Sequence, residues 1–160
     1  MKYPATISYI VFIIFVNILY ARLPHMNVGG HLIFIGDILI GFIYLFRDFA
    51  QREIKHYVLV AMLIGAGLSY VLATPGIAIA SVTAFTIGET IEWIIFTWTR
   101  KPLSQRLLWS ACISVPVDSA VFLYMINRLY ITDFSIQTAS KIVGVLLLWY
   151  LWRRRQFLNF

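Results

Sequence analysis

Five ionisable side chains interrupt otherwise apolar runs of this chain: Asp37, Glu89, Glu92, Asp118 and Lys141. A charge at the centre of a bilayer costs from about 2.5 to more than about 10 kcal/mol, depending on how it is measured. Side chains kept at that depth pair with one another, or mark a substrate or ion pathway. Glu89 and Glu92 are three residues apart, so a helix carries both on one face. Two carboxylates held that close do not both ionise cheaply, and one takes a proton or meets a donor-rich ligand. Helix rise places Asp37, Asp118 and Lys141 roughly 10–13 Å below the outer surface and Glu89 about 20 Å below it. Lys141 is therefore in reach of Asp37 or Asp118, while Glu89 lies near the midplane. The bland alternative is that these groups only stitch thin helices together. For Glu89 and Asp118 a functional role is favoured, because acids outnumber the bases available to pair them.

A second dense signal is FRDFAQRE, with Arg47 and Asp48 at the inner end of an apolar run and Gln51 and Arg52 a turn on. From spacing alone it reads as an ordinary basic juxtamembrane loop. Ser81, Thr83, Thr86 and Ser114 read as helix-packing hydroxyls. There is no HExxH, GxSxG, Walker loop or Cys/His cluster with metal spacing, so an enzyme is not expected and no cofactor is implied. Glu89-x-x-Glu92 lacks the Glu-x-x-His partners of a bundle metal site, so no metal is expected. His25, His31 and His56 read as loop or interface residues.

The elements that position these groups follow from composition. The chain has 160 residues, 61% hydrophobic and 12% charged, with a mean hydropathy of +0.82; a soluble domain carries about twice that charge fraction. The expected fold is all-α: one membrane domain of six transmembrane helices, at about 4–23, 32–49, 57–73, 76–99, 107–126 and 134–152. Gly65 and Gly67 should allow close helix approach. Thr74, Pro75 and Gly76 make a tight turn, and Pro116 interrupts the fifth span. The apolar start is long and lacks a clear cleavage site, so it reads as a first span rather than a signal peptide. Cys112 is the only cysteine, so an internal disulfide is excluded.

Lys and Arg place the ends. Ten lie on one side (Lys2; Arg47, Arg52, Lys55; Arg100, Lys101, Arg106; Arg153, Arg154, Arg155), against Arg22 and Arg128 on the other. That asymmetry predicts both termini in the cytoplasm. The net charge of +6 sits in short loops rather than a stripe, which argues for lipid and against nucleic acid as partner. Trp98, Trp109, Trp149 and Trp152 fall near the inner interface, as an aromatic belt does. Three spans starting inside and three starting outside are compatible in geometry with an inverted repeat.

Three stretches together, FRDFAQR at 46–52, TPGIAIASVTAFTIGETIEW at 74–93 and SVPVDSAVF at 114–122, resemble the short members of the queuosine precursor transporter family. That family is also described as vitamin-uptake-transporter-like integral membrane proteins. Its members show RD-x-x-Q after the second span, a small-residue-rich fourth span ending in Ser-Glu-x-x-Asp, and an Asp-Ser pair in the fifth. Arg47, Asp48 and Gln51 match the first motif, Glu89 the second, and Asp118 with Ser119 the third. Gly88 stands for the serine and Glu92 for the aspartate, while Ala111 and Ser114 stand where Asn and Gly are expected. The resemblance spans somewhat over half the chain.

What the resemblance implies is uptake, across a bacterial-type inner membrane, of a 7-deazaguanine base used to make the modified tRNA nucleoside queuosine. The implied fold is a six-helix bundle similar to the substrate-binding components of energy-coupling-factor vitamin transporters. A guanine-like base presents a ring N–H beside an amino group, and one carboxylate accepts from both. Glu89 is the expected clamp, with Asp118 or Glu92 taking a second donor and Phe85 or Trp93 stacking on the ring. Ser119 completes the binding set; Arg47, Asp48, Gln51, Asp37 and Lys141 are motif or gating residues. No nucleotide-binding motif is present, so the chain would use facilitated diffusion, ion coupling through Glu92 or Lys141, or a separate energising module. The alternatives are a binding subunit for another small vitamin and a structural membrane protein whose acids only join helices. An intramembrane enzyme ranks behind all of these.

Overall fold

The computed structural model describes residues 3–22, 26–28, 31–33, 36–72, 78–99 and 101–158. Helix α1 (Pro4–Arg22) leads into a short antiparallel hairpin, β1 (Met26–Val28) and β2 (His31–Ile33), in which Met26 faces Ile33 and Val28 faces His31. Helix α2 (Gly36–Ile54) follows, then a 3-10 turn (Lys55–Tyr57), α3 (Val58–Leu72), α4 (Ala78–Trp98), α5 (Leu103–Met125) and α6 (Ile131–Leu158). The expected turn at Thr74–Gly76, together with His25, lies outside the described residues.

Apart from that hairpin the described chain is helical, as its composition requires. By length and hydropathy four helical segments can cross a membrane: Gly36–Leu72, Ala78–Trp98, Leu103–Met125 and Ile131–Arg154; Pro4–Leu19 is apolar but shorter. Helix length and composition therefore support four crossings, not the six expected. Gly36–Leu72 is not one straight rod, because Lys55 has φ 54 and a right-handed helix cannot continue through that conformation.

Several boundaries differ from expectation. Leu32 belongs to β2 rather than to a second span, and α2 begins at Gly36 with Asp37 in its first turn, where a carboxylate meets the positive helix end. Helix α2 also runs past Phe49 to Ile54 because Arg47, Asp48 and Gln51 are buried in the bundle instead of reaching solvent. Pro116 is accommodated within α5, which runs through it without a break.

Cross-helix contacts fix the directions. Ala5 and Thr6 meet Glu53, so α1 and α2 are antiparallel; Asn17 meets Ser69, so α3 returns parallel to α1. Arg47 reaches Glu89 and Gln51 reaches Thr97, making α2 and α4 parallel. Arg106 binds the Phe96 carbonyl and Ser110 meets Glu92, so α5 reverses, and Trp149 on Ser104 reverses α6 again. The six helices alternate in direction, and α2 touches each of the other five.

The tightest crossing is α2 on α6. A Cβ at Gly41 would land on the Lys141 carbonyl, and one at Gly144 on the Ile38 carbonyl. Only glycine permits that backbone approach. Gly65 likewise admits Ile13 and Phe85, but Gly67 has nothing within 4 Å of its Cβ position, so just one of the two α3 glycines serves packing.

Polarity runs inside out compared with a soluble protein. Six of the seven acidic residues (Asp37, Asp48, Glu89, Glu92, Asp118, Asp133) and, among the described residues, the two bases Arg47 and Lys141 are buried. Large apolar side chains point outward instead, among them Val71 (78% exposed) and Ile131 (85%). Such an apolar exterior is stable against lipid and not against water. The chain is a multi-pass membrane protein.

Candidate functional site

Arg47 is the centre of the inner cluster. It projects from α2 into the bundle with no exposed surface, beside Asp48, Glu89 and Glu92, each at most 1% exposed. Its Nη1 lies 2.9 Å from Asp48 Oδ1, its Nε 3.3 Å from Glu89 Oε2 and its Nη2 3.4 Å from Glu92 Oε2. The guanidinium also donates to Gln51 Oε1 and, at 3.5 Å, to the Glu89 backbone carbonyl. A planar fork with five donors is the side chain suited to meeting several carboxylates at once.

The surrounding helices complete the shell. Tyr9 of α1 donates its hydroxyl to Glu89 Oε2 at 3.0 Å. Ser110 of α5 lies 3.2 Å from Asp48 Oδ2 and 3.4 Å from Glu92 Oε1, so its one hydroxyl proton is within reach of a carboxylate on either of two helices. Gln51 passes the network on to Thr97 at 2.9 Å. One guanidinium against three carboxylates leaves a formal charge of 1 − 3 = −2 when every group is ionised. Burying an uncompensated charge is far costlier than burying a pair, so protons or a donor-rich ligand must offset the excess.

A second polar layer lies toward the end where α6 begins. Lys141 Nζ is 2.5 Å from Asp118 Oδ2, both nearly buried. The expected choice between Asp37 and Asp118 is thus resolved for Asp118 in this pairing. Asp118 packs on Gly88, with the Tyr44 hydroxyl beside it: a Cβ at Gly88 would stand 2.9 Å from Asp118 Cβ and 3.1 Å from Tyr44 Oη. Gly88 is small so that the two layers can touch, which brings Asp118 up to the helix turn that carries Glu89. Asp37 is 1% exposed at the start of α2.

The sequence-derived residues divide accordingly. Arg47, Asp48, Gln51, Glu89 and Glu92 converge, and Asp118, Lys141 and Ser119 are buried one layer away. The reading of FRDFAQRE as a basic loop is overturned: Arg47 and Asp48 have no exposed surface. Phe85 is half-buried one turn from Glu89, against Gly65 of α3. Trp93 turns toward His56, ring centres 5.8 Å apart, and its indole N–H has no hydrogen-bond partner among the described residues.

Tyr9, Tyr44, Ser110 and Gln137 were not foreseen. Tyr9 is an uncharged residue in a mostly apolar helix and Ser110 is 18 residues from Glu92, so neither carries a local signal. Gln137 did carry one, since Asp133, Gln137 and Lys141 recur at helical spacing along the buried face of α6. Comparison with known proteins finds no family model, no curated protein and no solved structure that matches this chain.

Proposed function

We propose that this protein is an uptake carrier for a 7-deazaguanine-type base, a queuosine precursor, in a cytoplasmic membrane. One observation carries the reading: the three stretches that resemble the queuosine precursor transporters, far apart in sequence, meet inside the bundle. Arg47, Asp48 and Gln51 come from the first, Glu89 and Glu92 from the second, and Asp118 of the third packs on Gly88 of the second.

The chemistry supports the same reading. The inner cluster sets the three carboxylates of Asp48, Glu89 and Glu92 against one guanidinium, an excess that a donor-rich heterocycle helps to offset. Glu89 accepts the ring N–H and amino group of the base, releasing Tyr9 and sharing Arg47 with Glu92 and Asp48. Phe85 offers an apolar ring on the same helix face, and Asp118 or Glu92 takes a further donor.

In this proposal all six helices cross the membrane, consistent with their alternating directions. The chain ends nearest Lys101, Arg106 and Arg153 then face the cytoplasm. Arg47 is buried and leaves the topogenic count, which becomes nine against two (10 − 1 = 9), still strongly asymmetric. The chain acts by binding and release rather than by catalysis.

The test is rescue of cells that neither make nor import queuosine precursors, fed one precursor at low concentration, with queuosine in tRNA as the readout. Wild type should restore modification. Glu89→Gln, which cannot accept from both donors, should abolish it at unchanged protein level. Unchanged uptake by Glu89→Gln refutes the clamp, and a well-inserted wild type that rescues with no precursor refutes the substrate. The ion pairs of Arg47 also favour a purely structural role for the cluster; variants that lose protein rather than transport would support that instead.

A further inference from the structure

The buried face of α6 is polar over its first half and apolar over its second. Asp133, Gln137 and Lys141 follow one another at four-residue spacing, each at most 3% exposed, before Gly144 and Val145 take over. Opposite, α5 presents Ser114, Asp118 and Ser119 on its own buried face, joined to α6 through Lys141 and Asp118. Four atoms along these two helices have no hydrogen-bond partner among the described residues: Ser114 Oγ, Ser119 Oγ, Gln137 Oε1 and Thr138 Oγ1. Ser114, Ser119 and Gln137 are all more than nine-tenths buried.

Lipid cannot be what these groups face, because a side chain on the lipid side of the bundle counts as exposed and these do not. Buried polar atoms without partners are rare in proteins and point to water or a ligand. Their chemistry is mixed: hydroxyls that donate and accept, an amide oxygen that accepts, the Lys141 donor and the Asp118 acceptor. A small heterocycle with both donor and acceptor edges matches that set, whereas an apolar solute matches none of it. We propose that this α5–α6 layer is a hydrated subsite, entered from the end where α6 begins, that receives a small polar heterocycle before it passes Gly88 to Glu89. Its occupant rests on the transport reading above; its hydration does not.

The layer adjoins the Glu89 site and shares Asp118 with it. Asp118 stands on Gly88, one residue from Glu89, so a solute leaving Lys141 and Asp118 meets the clamp next. Lys141 held by Asp118 closes the way, and a ligand donor that engages Asp118 frees it. Strand β2 packs against α6 on this side and borders the entrance.

Cysteine accessibility tests this directly. In a Cys112→Ser background, Ser119→Cys and Gln137→Cys are treated with a membrane-impermeant, positively charged methanethiosulfonate. It is applied from whichever face labels Leu129→Cys in the loop before α6. Val143→Cys, on the outward face of α6, is the lipid-facing control. Ser119→Cys changes one atom, which keeps the test valid if Gln137→Cys folds poorly. Both buried positions should label, at least about tenfold faster than Val143→Cys, because only a hydrated thiol forms the reactive thiolate. Labelling of Leu129→Cys alone overturns the subsite. Protection of Ser119→Cys by a 7-deazaguanine base supports both inferences. Labelling that the base leaves unchanged supports the hydrated subsite and refutes the base as its occupant.

Discussion

Replacing Arg47 with methionine keeps much of the side-chain length and removes the base at the centre of the inner cluster. Asp48, Glu89 and Glu92 each lose a partner within 3.4 Å, Gln51 loses a donor, and the formal charge of the cluster goes from −2 to −3 (0 − 3 = −3). Breaking a buried pair by removing one partner costs about 3–5 kcal/mol, against a total stability of about 5–15 kcal/mol for a domain. At roughly 2–4 °C per kcal/mol for a chain of this length, the midpoint should fall by about 6–20 °C. The assay heats detergent-solubilised protein in steps and measures the fraction still monodisperse. Arg47→Lys should lie between, since it keeps the charge but not the fork. The triple variant Arg47→Met, Asp48→Asn, Glu92→Gln should recover most of the loss, because it leaves Glu89 as the cluster's one charge. A midpoint for Arg47→Met within about 1 °C of wild type would refute the reasoning, since surface substitutions alone shift stability that little.

Further outcomes follow from other contacts. Gly41→Ala or Gly144→Ala drives a methyl into a carbonyl of the facing helix and should cost at least about 1–3 kcal/mol of stability, whereas Gly67→Ala, facing open space, should cost almost nothing; the same heating series separates them. Lys141→Met should lose about 3–5 kcal/mol by stranding Asp118, and adding Asp118→Leu should restore stability without restoring uptake. Glu53 caps the start of α1 by accepting from Ala5 N–H at 3.2 Å, Thr6 N–H at 2.8 Å and the Thr6 hydroxyl at 2.7 Å. Glu53→Ala should therefore cost about 1 kcal/mol and speed hydrogen exchange at Ala5 and Thr6, with the middle of α1 unaffected.

Helix content and membrane class were legible in the sequence because they depend on local composition. A run of apolar residues must satisfy its backbone internally once it leaves water, and the helix does so within one segment. The intramembrane acids were legible for the same reason: each is an outlier against its own neighbours, whatever it later touches. Boundaries were less so, as α2 shows by starting at Gly36 and continuing to Ile54. There the local charge of RDFAQRE signalled an end, and only the partners waiting on α4 and α5 allowed the helix to continue through it.

The tertiary structure alone decided which groups meet. Arg47 looked topogenic because a guanidinium beside an aspartate at a helix end ordinarily seeks water; burial with Glu89 and Glu92 reversed that. Lys141 had two acids at suitable depth, and only the packing of α6 on α5 picked out Asp118. Nothing around Tyr9 or Ser110 distinguishes them from neighbouring residues, yet both bind the cluster's carboxylates. Sequence sets what each residue costs to bury, a property of one side chain and its solvent. Which partner offsets that cost is a property of distance between helices, and glycines such as Gly41, Gly88 and Gly144 set it only after the chain has folded.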